Sequence, residues 1–177
     1  SSIESPEGAA SPVVVASWGS ATEPVEVVRV DPKARRMTRL TSFNVEVAAG
    51  LDWKPLEELW LTNAAGRRVH SFVVLPPGFD PSKKYPLLVL IHGGPQGAWE
   101  DGWTYRWNAQ VFASAGYVVV APNPRGSTGF GQLFTDEISR DWGGKVFEDL
   151  MKGVDAAEKL PYVDGSRKVA AGASYGG

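Results

Sequence analysis

The chain has 177 residues, with 18 Lys and Arg against 20 Asp and Glu and no cysteine. Near-balanced, scattered charge gives no basic face for nucleic acid, and the one local group, Lys33-Ala34-Arg35-Arg36, follows Asp31-Pro32 and reads as a solvated loop tip. The lack of cysteine excludes a disulfide framework and thiol chemistry, and the longest apolar run, Leu87-Leu88-Val89-Leu90-Ile91, is far too short to span a bilayer, while periplasmic, secreted and cytoplasmic locations all stay open.

From Ser1 to about Phe43 the pattern is one of short strands. Val13-Val14-Val15-Ala16, Val25 to Val30 and Arg39-Leu40-Thr41 are punctuated by Gly19, Pro24 and Asp31-Pro32, the spacing of an antiparallel meander such as the end of a propeller blade. Gly50 to Pro55 reads as a connector. Residues 1–50 are therefore expected to form a β-propeller-like region and 51–177 a second domain. Glu57 to Leu75 reads as a hairpin turning at Asn63-Ala64-Ala65-Gly66 and stopped by Pro76-Pro77-Gly78. Tyr85 to Ile91 and Gly116 to Ala121 are nearly all apolar, as strands buried on both faces of a parallel sheet must be. Between them, Trp103, Trp107, Val111 and Ala115 stand four apart, so the spacing predicts a crossover helix from Trp103 to Ala115. A second helix is expected around Val146, Phe147, Leu150, Val154, Ala157 and Leu160, ended by Pro161; Lys168-Val169-Ala170-Ala171 is the next strand. Strand and helix alternating over short connections is the pattern of a right-handed parallel α/β sheet.

That last strand runs into Gly172-Ala173-Ser174-Tyr175-Gly176-Gly177, a Gly-x-Ser-x-Gly sequence. A serine on a sharp strand-to-helix turn sits in a strained conformation, so its neighbours must have almost no side chain. Ser174 is the candidate nucleophile, and the amide of Tyr175 would face the position where a tetrahedral oxyanion forms. Alone, these six residues would read as a flexible tail of small residues; what precedes them decides otherwise. No acid or base follows Ser174 in these 177 residues, so the expectation is that they carry an unactivated serine, with no peptidase activity on their own.

The motifs come in a fixed order: His92-Gly93-Gly94-Pro95-Gln96-Gly97, then Pro122 to Gly131, then Asp141-Trp142-Gly143-Gly144, then the serine turn. This order resembles the catalytic domain of the prolyl oligopeptidase family of serine peptidases, nearest its dipeptidyl-peptidase 5 and acylaminoacyl-peptidase branches. The resemblance runs from about Glu57 to Gly177. It implies the N-terminal part of an α/β-hydrolase domain preceded by the last strands of a β-propeller, a Ser-Asp-His triad whose Asp and His lie in a further C-terminal segment, short peptides as substrates, and no cofactor. It also implies that Gly94 donates the second oxyanion hydrogen bond beside Tyr175. Acylaminoacyl-peptidase and esterase activity, or a non-catalytic binding role, are the alternatives.

The remaining chemistry-bearing residues read more plainly. His70 alternates within the hairpin as a satisfied, part-buried residue, and His92 shapes the loop it starts, since a triad histidine in this fold follows the serine. Arg125 either pairs with a carboxylate or anchors its own loop. Trp99, Trp103 and Trp107 line a pocket or, as four-residue spacing favours, pack in the core. Asp141, Glu148 and Asp149 are expected at helix starts and exposed faces. No metal-ligand spacing or phosphate loop is present, and neither nucleic acid nor membrane is an expected partner.

Overall fold

The computed structural model describes residues 3–4 and 13–177. The chain divides into two compact units, Ser1–Trp53 with Asp101–Arg106, and Lys54–Glu100 with Trp107–Gly177.

In the first unit, β1 (Ile3–Glu4), β2 (Val14–Ser20), β3 (Glu23–Asp31) and β4 (Arg36–Arg39) form an antiparallel meander in chain order. Pro24, Glu26 and Val28 alternate onto the buried face of β3 while Val25 is exposed, the two-residue period of a strand. Glu26 is a charged residue on that buried face, and its carboxylate accepts hydrogen bonds from the Thr41 hydroxyl and the Asn44 amide. The Thr41 bond, aided by the backbone donors, holds its carboxyl below the ordinary range. The Asn44 amide opens a short helix, α1 (Val45–Ala49), which the strand-by-strand reading does not anticipate.

The second unit is built on a five-stranded mixed sheet of β5 (Glu57–Thr62), β6 (Arg68–Val74), β7 (Tyr85–Ile91), β8 (Val118–Asn123) and β9 (Val163–Gly172), in the order β5-β6-β8-β7-β9. The hairpin β5–β6 is antiparallel, β6 lies antiparallel to β8, and β8, β7 and β9 run parallel. Three helices occupy the crossovers: α2 (Ala109–Ser114) between β7 and β8, and α3 (Gln132–Asp136) and α4 (Lys145–Ala157) between β8 and β9. Val118, Val119 and Val120 are all inaccessible to solvent, which adjacent strand residues can be only when both faces of a sheet are covered. One face gathers Val73, Leu87, Val89, Val118 and Val120 with Ala157 of α4; the other gathers Val74, Leu88, Leu90, Val119 and Ala121 with Ala113 of α2.

Two helix expectations need correction. The first crossover helix begins at Ala109, not Trp103, and is capped by the Asn108 side chain, which accepts from the Gln110 amide at 2.9 Å. Trp103 lies in the first unit, edge-on to Trp53 with ring centroids 5.0 Å apart, and Val111 is exposed, so the four-residue spacing did not mark a buried stripe. In α4 the buried positions are Val146, Asp149, Gly153 and Ala157, while Phe147 is 59% exposed. Asp149 is thus fully buried rather than on an open face. Asp141 does serve the helix start, accepting from the amides of Gly144 (3.0 Å) and Lys145 (3.2 Å).

Candidate active site

β7, β8 and β9 are parallel, so their C-terminal ends meet at one side of the sheet and deliver His92, Asn123 and Ser174 there. The register pairs Ile91 with Gly172, so the His92 loop and the serine turn leave neighbouring strands at the same level. Ser174 has φ +58°, a left-handed conformation unusual for a residue with a side chain, and it is exposed. Close packing holds it there. A Cβ on Gly176 would stand 2.3 Å from the Ile91 carbonyl oxygen and 3.0 Å from that of His92; one on Gly172 would stand 1.9 Å from the Gly176 oxygen. Only glycine fits at either position.

The turn is a single 3₁₀ segment in which Gly176 N–H donates to Ala173 O (3.0 Å) and Gly177 N–H to Ser174 O (3.1 Å). Neither bond uses the Tyr175 amide, which stands at the N-terminal end of the segment where N–H groups lack helical partners. The Tyr175 ring reaches the other way. Its hydroxyl donates to the Trp142 carbonyl at 2.5 Å and its ring meets Trp142 edge-on at 5.7 Å, tying the turn to the loop before α4. Burial, with the charge of Asp141 nearby, raises its phenol above the ordinary range.

Facing Ser174 is the loop after β7. Gly93 of this loop approaches closely: a Cβ there would lie 3.2 Å from Ala173 O, 3.4 Å from Ser174 Cβ and 3.9 Å from Oγ. Gly94, singled out in the sequence, has φ +135°, and a Cβ there would meet the Gln96 nitrogen at 2.6 Å, so its glycine is demanded by the turn of the loop itself. The doubled glycine was the readable signal for both positions; sequence reasoning missed that Gly93 makes the close approach.

His92 fastens this loop to the one after β8. Nδ1 lies 2.7 Å from the Gly93 carbonyl, which can only accept, so Nδ1 carries the proton and Nε2 accepts from the buried Ser127 hydroxyl at 2.9 Å. Burial pushes the imidazole below its ordinary pKa and keeps it neutral, consistent with that arrangement. Thr128 N–H adds a bond to Gly97 O (3.0 Å). Behind the loop, Arg125 does both things the sequence left open. Its Nε and Nη2 donate to Asp149 Oδ2 (2.7 Å) and Oδ1 (2.9 Å), its own amide donates to Oδ2 (3.0 Å), and Nη2 also reaches Lys145 O (2.9 Å). Asn63 of the hairpin turn donates to the same carboxylate (2.7 Å). Burial opposes the guanidinium charge, but the Asp149 bonds and charge outweigh it and raise its pKa. His70 is set apart from this chain of contacts: its Nδ1 accepts from Asn123 Nδ2 (3.1 Å), and Asn123 exchanges two bonds with the Trp99 backbone. Trp99 and Trp107 pack on the α2 side of the sheet core.

A serine turn of this form, after β9, the fifth strand of the sheet along the chain, and facing a glycine loop after β7, the third, is the arrangement of α/β-hydrolases. Residues 103–177 match the prolyl oligopeptidase family. Dipeptidyl-peptidase 5 of Schizosaccharomyces pombe is 52% identical over 137 residues, 77% of this chain and 20% of that protein. The chain belongs to the prolyl oligopeptidase family. A probable dipeptidyl-peptidase 5 of Emericella nidulans is 49% identical over 159 residues, covering 86% of the chain and 22% of the relative. Among solved structures, an acylaminoacyl peptidase in complex with Z-Gly-Gly-Phe-chloromethyl ketone superposes with a TM-score of 0.85 at 26% identity, over 99% of this chain and 27% of that one. Dipeptidyl peptidase 4 of Porphyromonas gingivalis gives 0.75 at 27% identity, over 93% and 24%. The chain spans about a fifth of the length of the curated prolyl oligopeptidase family relatives it matches.

Proposed function

We propose that the complete protein carrying these residues is a serine peptidase that hydrolyses short peptides and releases dipeptides from a free N-terminus. Ser174 Oγ attacks the scissile carbonyl, and its proton passes to a histidine in a segment beyond residue 177, oriented by an aspartate from that segment. The amides of Tyr175 and Gly94 hold the oxyanion; the peptide C–N bond breaks as the histidine gives its proton to the leaving amine, and water, giving a proton to the same histidine, then hydrolyses the acyl ester and restores the Ser174 hydroxyl. The observation that carries this reading is the exposed Ser174, wedged at φ +58° with the Gly93 backbone against it. His92 is not the base in this scheme, because both its ring nitrogens are engaged by Gly93 and Ser127. Dipeptide release is favoured by the half-identical dipeptidyl-peptidase 5 relatives; the likeness to an acylaminoacyl peptidase supports removal of an acylated residue as the second reading.

The test is fluorophosphonate labelling of the complete protein together with hydrolysis of a dipeptidyl chromogenic amide, with its amine free or acetylated. Labelling that is lost in Ser174→Ala and preference for the free amine are expected. Preference for the acetylated compound selects the acylaminoacyl reading. A folded protein that does not label is a non-catalytic binding module and overturns both.

A further inference from the structure

A second concavity opens at the same end of the sheet, on the opposite flank. The pairing of Trp60 with His70, and of His70 with Asn123, puts Arg68 just past the C-terminal end of β8, the end where β7 and β9 give way to His92 and Ser174. There a cleft of about 380 Å³ is lined by Trp60, Arg67, Arg68, Phe130, Leu133 and Phe134. The Trp60 and Phe130 rings meet edge-on at 6.3 Å, Phe130 leans on Phe134 at 5.5 Å, and Leu133 is 61% exposed.

The two arginines are in different states. Arg67 is neutralised, donating through Nε (3.1 Å) and Nη2 (2.7 Å) to Glu137. Arg68 is exposed and lies over the Trp60 ring, with its guanidinium carbon 4.3 Å from the centroid. Among the described residues no carboxylate pairs with it. Glu58, on the neighbouring strand, spends Oε2 on the Trp60 indole N–H (2.9 Å), and Asp136 is taken by the Gln132 amide (2.8 Å). A guanidinium held over an indole face by cation–π attraction keeps its N–H groups available to grip a carboxylate through two parallel bonds. The apolar walls beside it suit a hydrophobic side chain attached to that carboxylate.

Resting on the peptidase reading, we propose that this cleft is a subsite for the C-terminal end of the peptide substrate. Arg68 pairs with the terminal carboxylate, and the last side chain lies between Trp60, Phe130 and Leu133. Distance sets the length dependence. Arg68 opens β6, three strand intervals from β9, about 14 Å at roughly 4.8 Å each, and an extended peptide advances about 3.3 Å per residue. Reaching from Ser174 to Arg68 therefore takes about four residues beyond the cleaved bond, or peptides of about six in all.

The experiment uses the complete enzyme, wild type and Arg68→Gln, and peptides of 4, 6, 8 and 10 residues with one N-terminal dipeptide, ending in Phe as free acid or amide. For acids of six or more residues, Arg68→Gln is expected to raise KM about tenfold with kcat unchanged. The corresponding amides should show that higher KM already in the wild type and be indifferent to the substitution. Equal KM for acid and amide at every length, or an equal effect of Arg68→Gln on tetrapeptides, would overturn the subsite. Binding of a fluorescein-labelled decapeptide acid to the Ser174→Ala protein separates this from the catalytic reading. A tenfold weaker Kd in Ser174→Ala/Arg68→Gln supports the subsite even if Ser174 proves dispensable for turnover, and an unchanged Kd removes it whatever Ser174 does.

Discussion

Replacing Asp149 by alanine should loosen the whole second unit. The carboxylate is fully buried and accepts four hydrogen bonds, three from Arg125 and one from Asn63. Arg125 is itself only 4% exposed, so deleting its partner leaves a buried guanidinium whose remaining ion pair is the longer one to the exposed Glu148, at 3.5 Å. Breaking a buried pair on one side costs about 3–5 kcal/mol, well above the roughly 1 kcal/mol of an ordinary hydrogen bond, because the remaining charge is out of water and has lost its closest counter-ion. Hydrogen exchange of the β8 amides in the complete protein reads the opening of this unit alone. At about 1.4 kcal/mol per factor of ten, Asp149→Ala should speed that exchange by roughly two to four powers of ten. The double variant Asp149→Leu/Arg125→Met, which removes both charges, should recover at least half of the lost protection. Acceleration below tenfold in Asp149→Ala, or a double variant worse than the single one, would refute the account of Arg125 as a charge held in place by Asp149.

Two further outcomes follow from the site. Gly176→Ala drives a Cβ toward the Ile91 and His92 carbonyls, and the turn must shift by tenths of an ångström or more; fluorophosphonate labelling of the complete protein should slow by about a hundredfold, with a stability loss of only about 1–3 kcal/mol, and unchanged labelling would show that the turn yields without moving Ser174. His70 and His92 both have pKa values lowered chiefly by burial: the unfolded chain takes up protons near pH 6.5 that the folded one refuses, so their contribution is neutral above that pH and stability falls as pH drops below it. Melting temperatures from pH 8 to 5 check this, and a flat profile in His92→Gln/His70→Gln against a falling one in the wild type is the expected contrast.

The strands were legible because their signal is local. Glu57 to Thr62 and Tyr85 to Ile91 begin and end where turn residues and proline punctuate them, and the run Val118-Val119-Val120 announces burial on both faces. The serine turn was legible for the same reason: glycine is the only residue its close packing permits. What the sequence hid depends on partners distant in the chain. Trp103 falls in step with Trp107 and Val111, yet it packs on Trp53 in the other unit, and the local cap signal at Asn108 was the better guide to the helix start. Asp149 sits among charged neighbours on a helix and looks solvated; only Arg125, 24 residues earlier, and Asn63, 86 residues earlier, make its burial possible. Gly93 was overlooked beside Gly94 because two adjacent glycines look alike until the opposing turn is in place.

The glycine wedge has a mechanical meaning beyond letting the chain bend. Both carbonyls that crowd Gly176, those of Ile91 and His92, belong to the segment that becomes the loop facing Ser174. The Ser174 turn and the opposing loop are therefore seated on the same two peptide units. A displacement of either peptide unit would be felt by both at once, which couples the position of Ser174 to that of the loop it faces.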